Sequence, residues 1–418
     1  MKILLSAYAC KPGVGSEPGV GWRWAMHLAK THDVTVVTHE RFRKDIEPAL
    51  NEFTGLRPRF VFHETKLLRT VPFNSVTALP KYFIWQISVL PTAIRLVRNE
   101  RYDLVIHLTM GTFRYPSWLG FLGVPFVFGP AGGGERAPMR FFRGLPLRER
   151  LVELARTALI VSGKFDPLLW IAHSRARLIF ARTEQTRQAL PFFLRDRAVI
   201  HQEIGSDPTT DGREPAARLP EEPLRLVMGA RLLGWKGVHI AIETMAVLRA
   251  RGVCANLDVF GQGPLQEWLA GRVRSLGLGD CVRLRGFVPF EDIQQHMRSA
   301  HCFLFPSLHD SGGTVVLEAF GNGLPVVCLD LGGPKDFVTR ESGRVVATAG
   351  RGIGEVAGAL AGEIEALNRD DALRRKLAAG ALTRGRELSW VNQMDGAMRL
   401  INGALDASTG SGVAKMER

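Results

Sequence analysis

The stretch Met228-Gly-Ala-Arg231-Leu-Leu-Gly-Trp-Lys236-Gly237 follows an apolar run, 224–229, of the kind that forms a buried parallel strand. Arg231 and Lys236 therefore place two cations near the end of that strand. Guanidinium and ammonium groups form charge-assisted hydrogen bonds to phosphate oxygens, so we expect a phosphate group here. Ordinary surface charges are the alternative, and an R-x4-K-G spacing does not exclude them.

A second stretch, Asp310-Ser-Gly312-Gly313-Thr-Val-Val-Leu-Glu318, begins a predicted helix with paired glycines. Small residues let the backbone approach a phosphate, and the first amides of a helix have no partner within it. Those amides belong to Gly313, Thr314 and Val315. Glu318 could accept hydrogen bonds from ribose hydroxyls, and Asp310 could contact the sugar. The alternative is a simple N-cap at Asp310 or Ser311 with Glu318 exposed to solvent.

Short apolar runs alternate with helical patterns along most of the chain. Predicted strands are 3–9, 34–38, 60–63, 104–108, 125–128, 177–181, 224–229, 257–261, 282–287, 302–306, 326–329 and 344–347. This alternation predicts two α/β, doubly wound Rossmann-like domains facing across a cleft, separated by an aperiodic linker at 205–223. We expect an N-terminal domain at 1–205 and a C-terminal domain at 206–385. A helix in 386–418 is expected to pack on the N-terminal domain and to end in a frayed tail from 405.

Net charge indicates an anionic partner, since the 418 residues carry a formal charge of +13. A phosphorylated substrate, a phospholipid surface and nucleic acid all fit, but no nucleic-acid-binding module is recognisable. Residues 79–98 and 136–187 interleave basic and aromatic residues, which is typical of peripheral membrane contact and equally of core-facing helices. Five scattered cysteines form no C-x-x-C pair and favour a reducing cytosol.

Several further positions border the expected cleft. Gly263 and the Phe287-Val288 backbone follow strands, the latter as a seat for a base. His107 could bind a sugar hydroxyl or be a satisfied core histidine. Gly15 lies in a glycine loop whose spacing is not that of a dinucleotide site, and Glu17 would repel a pyrophosphate. A nicotinamide dehydrogenase is therefore disfavoured. Since no cluster has metal-ligand spacing, we expect neither metal nor cofactor.

Taken together, these residues resemble the retaining glycosyltransferases of the two-Rossmann-domain (GT-B) type, glycosyl transferases group 1 or family 4. The matching pattern is Asp310-x7-Glu318, then Gly-Leu-Pro325-Val-Val and Asp330-Leu-Gly-Gly-Pro334, preceded by the Arg231 and Lys236 element. Two positions depart from the family pattern. Asp310 stands where glutamate is usual, and Asp103 precedes His107 by one residue fewer than is common.

The resemblance implies a role for each matching residue. Arg231 and Lys236 would bind the donor diphosphate together with the amides near Gly313 and Val315, and Glu318 would bind the ribose. Gly15 would approach the donor from the opposite domain. The implied reaction is transfer from a nucleotide sugar, with retention of configuration, to a glycan or lipid-linked acceptor at the inner face of the membrane. A sugar-nucleotide epimerase and a non-catalytic binding protein remain alternatives.

Overall fold

The chain folds into two compact units, each built on one parallel sheet. The computed structural model describes residues 1–68, 70–72, 77–207, 216, 218–219 and 221–416. One unit comprises Met1–Gly134, Leu159–Ile204 and Val391–Arg418, and the other comprises Glu135–Ala158 and Gly205–Trp390. We call them the first and the second unit. The predicted linker at 205–223 lies largely outside the described residues.

The first unit contains a seven-stranded sheet in the order β3-β2-β1-β4-β5-β6-β7. The strands are β1 (Lys2–Ala7), β2 (Asp33–His39), β3 (Arg59–His63), β4 (Leu104–Leu108), β5 (Phe126–Ala131), β6 (Leu178–Ala181) and β7 (Ala198–Ile200). The helices are α1 (Ser16–Leu28), α2 (Arg43–Glu52), α3 (Ala78–Ser88), α4 (Leu90–Asn99), α5 (Leu147–Ser162), α6 (Pro167–Ser174) and α7 (Glu184–Ala189), with α5 extending from the second unit. Every described pairing is parallel. The order in which strands are added to the sheet reverses between β1 and β4, so that β2 and β3 lie on one side and β4 to β7 on the other.

The second unit contains a six-stranded parallel sheet in the order β10-β9-β8-β11-β12-β13. The strands are β8 (Leu224–Gly229), β9 (Ala255–Phe260), β10 (Val282–Gly286), β11 (Cys302–Phe305), β12 (Val326–Leu329) and β13 (Gly343–Val346). The helices are α8 (Val238–Ala250), α9 (Gln266–Ser275), α10 (Phe290–Ser299), α11 (Thr314–Gly321), α12 (Pro334–Phe337), α13 (Ile353–Arg369) and α14 (Asp371–Glu387). The reversal lies between β8 and β11. Ligands of doubly wound sheets bind at such a reversal, outside the carboxyl ends of the strands.

The structure confirms the predicted fold class and adds a strand, β7, that is too short for an apolar pattern to reveal. The core of each unit is formed by apolar strands such as β4 and β11, which are buried along their whole length. Helices cover such strands on both faces because a parallel sheet leaves neither face to solvent.

Two segment assignments differ from the expectation. Glu135–Ala158 belongs to the second unit, although the sequence places it within the first domain. Helix α15 (Trp390–Met416) groups from Val391 onward with the first unit, where Nε2 of His27 lies 2.8 Å from Oδ1 of Asp395. The helix runs past residue 405, where the sequence predicts a frayed tail.

Candidate active site

The candidate site lies in the second unit, where the loops that follow β8 and β11 meet. The amide of Leu308 donates to the carbonyl of Trp235 at 2.8 Å, which joins the two loops. Gly237 has φ of 75°, and a Cβ there would lie 1.9 Å from the carbonyl oxygen of Pro306. Only glycine permits this approach, which brings Lys236 beside the β11 loop.

Lys236 and Asp310 form an ion pair between these loops. The two side chains are 16% and 14% exposed, so the pair is mostly withdrawn from solvent. The Lys236 ammonium also lies 4.3 Å from the centre of the Trp235 ring. Since a partly desolvated cation retains much of its field, Lys236 is well suited to bind an anion that competes for it with Asp310.

The start of helix α11 faces the same loops. Gly313 caps the helix in the left-handed region, with φ of 65° and no side chain closing the cap. Its amide donates a hydrogen bond to the Asp310 carboxylate at 3.3 Å, and the amides of Thr314 and Val315 follow as the first helical donors. A Cβ at Gly229, the last residue of β8, would contact Val315 at 3.2 Å. The strand end and the helix start therefore lie in contact.

Glu318 lies one turn into helix α11 and is only partly exposed. Burial raises the pKa of its carboxyl to about 7, and the negative charge of Asp207 acts in the same direction. A carboxyl whose pKa lies near neutral pH is readily ionised when hydroxyl groups donate hydrogen bonds to it, because those bonds favour the charged form. The simple N-cap alternative, with an exposed Glu318, does not describe this side chain.

The remaining predicted positions of the second unit follow β8, β9 and β10. Arg231 is exposed just past β8. Gly263 packs on the loop after β8, since a Cβ there would lie 2.5 Å from the Leu232 carbonyl oxygen. Phe287 follows β10 with its ring 74% exposed, and Val288 is partly exposed. The carboxyl ends of four neighbouring strands, β8 to β11, thus contribute to this edge of the sheet.

Family comparison identifies this unit. Residues 213–383 match the family Glycosyl transferases group 1. The second unit is similar to this family along that region.

Known relatives and solved structures agree with that assignment. The amylovoran biosynthesis glycosyltransferase AmsK of Erwinia amylovora is 35% identical over 123 residues, which are 28% of this chain and 30% of AmsK. The matched region thus spans about a third of that relative's length. Anabaena HepE in complex with UDP aligns with 96% of this chain and 100% of its own, at a TM-score of 0.58 and 17% identity. The lipopolysaccharide outer core galactosyltransferase WaaB aligns with 98% of this chain and 100% of its own, at a TM-score of 0.60 and 15% identity. These structures establish the two-domain GT-B fold.

The second unit includes three residues that the sequence did not single out. Glu149 and Glu153, from α5, accept hydrogen bonds from the Gly234 amide at 2.9 Å and from His309 at 3.0 Å. His309 stacks on Trp235 with ring centres 4.5 Å apart. Their approach depends on the path of the segment Glu135–Ala158, and only the adjacency of His309 to Asp310 could have indicated any of them.

The predicted residues of the first unit lie in different surroundings. His107 is fully buried on β4, bonded to the Tyr82 hydroxyl at 3.0 Å and stacked on Phe128. Burial lowers its pKa to about 3, with a further contribution from His173. These contacts fit the core-histidine alternative, and a role in sugar binding stays a prediction.

Gly15 caps helix α1 with φ of −70°, and a Cβ there would meet nothing within 4 Å. Packing within the first unit therefore does not require glycine at position 15, and its contact with the donor stays a prediction. Glu17 accepts the Gly111 amide at 3.0 Å and approaches Arg182 at 3.7 Å. The carboxylate is thus engaged by the loop after β4 and by a cation.

The described residues contain no group of three His, Cys, Asp or Glu side chains that could hold a metal ion. Among the described helices, none combines the length and apolarity needed to cross a bilayer. Glu135 is fully buried, and its backbone carbonyl accepts a hydrogen bond from Arg156 at 2.7 Å.

Proposed function

We propose that this protein is a retaining glycosyltransferase that transfers a sugar from a nucleotide-sugar donor to a glycan or lipid-linked acceptor. The observation that carries the proposal is the meeting of Lys236, Asp310 and the start of helix α11 at the reversal of a group 1 unit. Its relatives support the same class: AmsK is a biosynthetic glycosyltransferase for amylovoran, and HepE was solved with UDP. We infer a role in exopolysaccharide or cell-surface glycan synthesis.

In this proposal the donor diphosphate binds Lys236, Arg231 and the amides of Gly313 to Val315. When the bond between the sugar C1 and the diphosphate oxygen breaks, negative charge grows on that oxygen. Fixed cations and amide dipoles stabilise the transition state more than the bound substrate, and this difference accelerates the reaction. The acceptor oxygen forms a bond to C1 on the same face, and its proton passes to the leaving diphosphate.

Other parts of the donor have their own proposed contacts. Glu318 accepts hydrogen bonds from the ribose, Asp310 contacts the sugar, and the backbone near Phe287, Val288 and Gly263 receives the base. Asp310 must exchange part of its contact with Lys236 when the diphosphate arrives, because both anions bind the same ammonium group. Catalysis in this proposal uses no metal. Excess EDTA should leave the rate unchanged, and a loss restored by Mg²⁺ or Mn²⁺ would contradict this.

The deciding experiment is a panel of UDP-, GDP- and ADP-sugars, first by thermal shift and then by turnover. Release of nucleoside diphosphate that requires an acceptor, with the product retaining the anomeric configuration, is the expected result. Interconversion of free nucleotide sugars would show that the protein is an epimerase and not a transferase. Tight binding without turnover would indicate a binding protein, and the absence of binding by the whole panel would refute a nucleotide-sugar site.

We also propose peripheral contact with an anionic membrane at the cytoplasmic face, where lipid-linked acceptors would be available. In the second unit, α5 exposes Leu147, Leu151 and Leu154 beside Arg148 and Arg150. An exposed apolar stripe with flanking cations is suited to the interface of an anionic bilayer.

The first unit has an apolar surface of its own. Phe165 and Phe192 are 72% and 79% exposed, and Trp170 contacts Phe193 at 5.9 Å between ring centres. Exposed Arg175 and Arg197 lie within the same unit. Each surface supports the membrane proposal separately.

A further inference from the structure

Helix α5 directs its acids inward and its leucines outward within the second unit. Glu149 and Glu153 are 8% and 2% exposed, whereas Leu147, Leu151 and Leu154 are more than half exposed. Burying a carboxylate carries a large desolvation cost unless the group is paired and hydrogen-bonded. The partners of these two acids therefore indicate what the inward face of the helix does.

Glu149 holds the first residue of the turn that ends at Lys236. Its Oε2 accepts the amide of Gly234 at 2.9 Å, and the turn runs from Gly234 to Lys236. A Cβ at Gly234 would lie 2.9 Å from that oxygen and 3.0 Å from Leu145. Glycine therefore lets the carboxylate reach the backbone, and the contact fixes the start of the turn.

Glu153 holds the residue before Asp310. Its Oε2 lies 3.0 Å from Nε2 of His309, and the His309 ring stacks on Trp235. Because Trp235 and His309 directly precede Lys236 and Asp310, one buried acid braces both partners of the ion pair. Arg156 adds a contact to Glu153 at 3.3 Å.

The segment that carries these acids is itself anchored in the second unit. The Phe141 carbonyl lies 3.0 Å from Nε2 of His239, at the start of helix α8. Arg140 donates to the carbonyls of Thr348 and Arg351, both at 2.7 Å. The helix is thus fixed at its base, and the two carboxylates have a defined position relative to the loops after β8 and β11.

We infer that Glu149 and Glu153 are positioning residues, which hold Lys236 and Asp310 in the geometry that receives the donor diphosphate. This inference rests on the proposed function and extends it, because neither acid lies in the matched region 213–383. The two acids act through Gly234 and His309 rather than by touching the substrate. Their contribution is preorganisation, since loops held in place before binding lose less freedom on binding.

Hydrogen exchange tests the positioning without any ligand. Glu149→Ala removes the acceptor, whereas Glu149→Gln keeps an oxygen at the same place, and Glu267→Gln on exposed α9 is the matched control. We expect about tenfold faster exchange in residues 232–240 for Glu149→Ala, from the loss of a buried hydrogen bond. Glu149→Gln should restore most of the protection, and Ile353–Arg369 should be unaffected. Unchanged exchange in 232–240 would overturn the inference.

The second acid gives an independent reading in case Glu149→Ala does not fold. Glu153→Ala should increase exchange in residues 305–313, and Glu153→Gln should largely reverse the effect. With the donor identified by the UDP-, GDP- and ADP-sugar panel, both alanine variants should lower kcat/KM about tenfold. A shift of the melting temperature with unchanged kcat/KM and unchanged loop exchange would show a purely structural role.

Failure of the proposed function gives a different pattern. If the wild-type protein releases no nucleoside diphosphate from any of the sugars, the transferase proposal fails, while loop exchange in the variants still reports whether the acids hold Gly234 and His309. If the wild-type protein turns over and neither variant changes exchange or rate, the positioning inference alone is wrong.

Discussion

At the scale of single residues, the site depends on a few charges in partly desolvated positions. Lys236 is paired with Asp310 before any substrate arrives, and burial raises the pKa of Glu318 to about 7. Both features favour an anionic ligand with hydroxyl groups nearby. Each also gives a measurable consequence when the residue is changed.

Lys236→Ala should lower kcat by roughly a hundredfold, because removing one fixed charge from a transition-state site typically has an effect of this size. The variant should still fold, since the side chain is not part of a core. Lys376→Ala, on the exposed face of α14 in the same unit, is the matched loss of one charge. Steady-state kinetics and circular dichroism check both proteins, and an unchanged kcat would remove Lys236 from the diphosphate site.

Glu318→Gln should make the stability of the second unit less dependent on pH. The folded-state pKa of Glu318 is about 7 against an ordinary 4.5, so the stabilising contribution of this carboxyl is complete below about pH 4.5 and is lost as pH rises towards 7. The loss is at most about 3 kcal/mol. Urea midpoints of both proteins at pH 5 and pH 8 measure it. A parallel decrease in the two proteins would contradict the assignment to Glu318.

At the scale of elements, the site is formed by the close approach of the loops after β8 and β11. Gly237 is the contact point, because its left-handed backbone and missing side chain let the turn lie against Pro306. Gly252 has nearly the same φ, 74°, but a Cβ there would meet nothing within 4 Å. The two glycines therefore separate the cost of backbone strain from the cost of a steric clash.

Gly237→Ala should destabilise the second unit by more than Gly252→Ala, by roughly 2 kcal/mol or more. Strain from the positive φ is common to both variants, whereas the clash with Pro306 is specific to position 237. Thermal and urea unfolding measure the difference. Equal destabilisation by the two substitutions would mean that the loops separate at little cost.

At the scale of the whole molecule, the charge of +13 combines with apolar surfaces that each unit exposes separately. Arg140 cannot contribute freely to such a surface, because it is bonded to two backbone carbonyls. Arg143 and Arg148 are exposed and are the better candidates for contact with lipid headgroups.

Arg143→Ala combined with Arg148→Ala should weaken binding to vesicles containing phosphatidylglycerol by about thirtyfold, at about 1 kcal/mol per basic residue near an anionic surface. Arg274→Ala with Arg298→Ala removes the same charge from α9 and α10 and serves as the control. Co-sedimentation at low and high salt measures both pairs. Unaltered vesicle binding by the variant that lacks Arg143 and Arg148 would contradict the proposed membrane contact of this surface.

The alternation of apolar runs and helical patterns was enough to predict both sheets and all but one of the described strands. The resemblance to group 1 transferases came instead from the residue pattern around Asp310 and Glu318. Local chemistry also marked Lys236 and the amides of α11. The carboxylates of α5 were not predictable, because their partners Gly234 and His309 lie 85 and 156 residues further along the chain.

What the sequence determined by itself is therefore the architecture and the identity of the polar residues at the strand ends of the second unit. These follow from periodicity and from local backbone geometry, which act over a few residues. Tertiary structure alone decided that Glu135–Ala158 joins the second unit and that its acids point inward. The burial of a charge depends on partners distant in sequence, and no local pattern encodes where those partners will be.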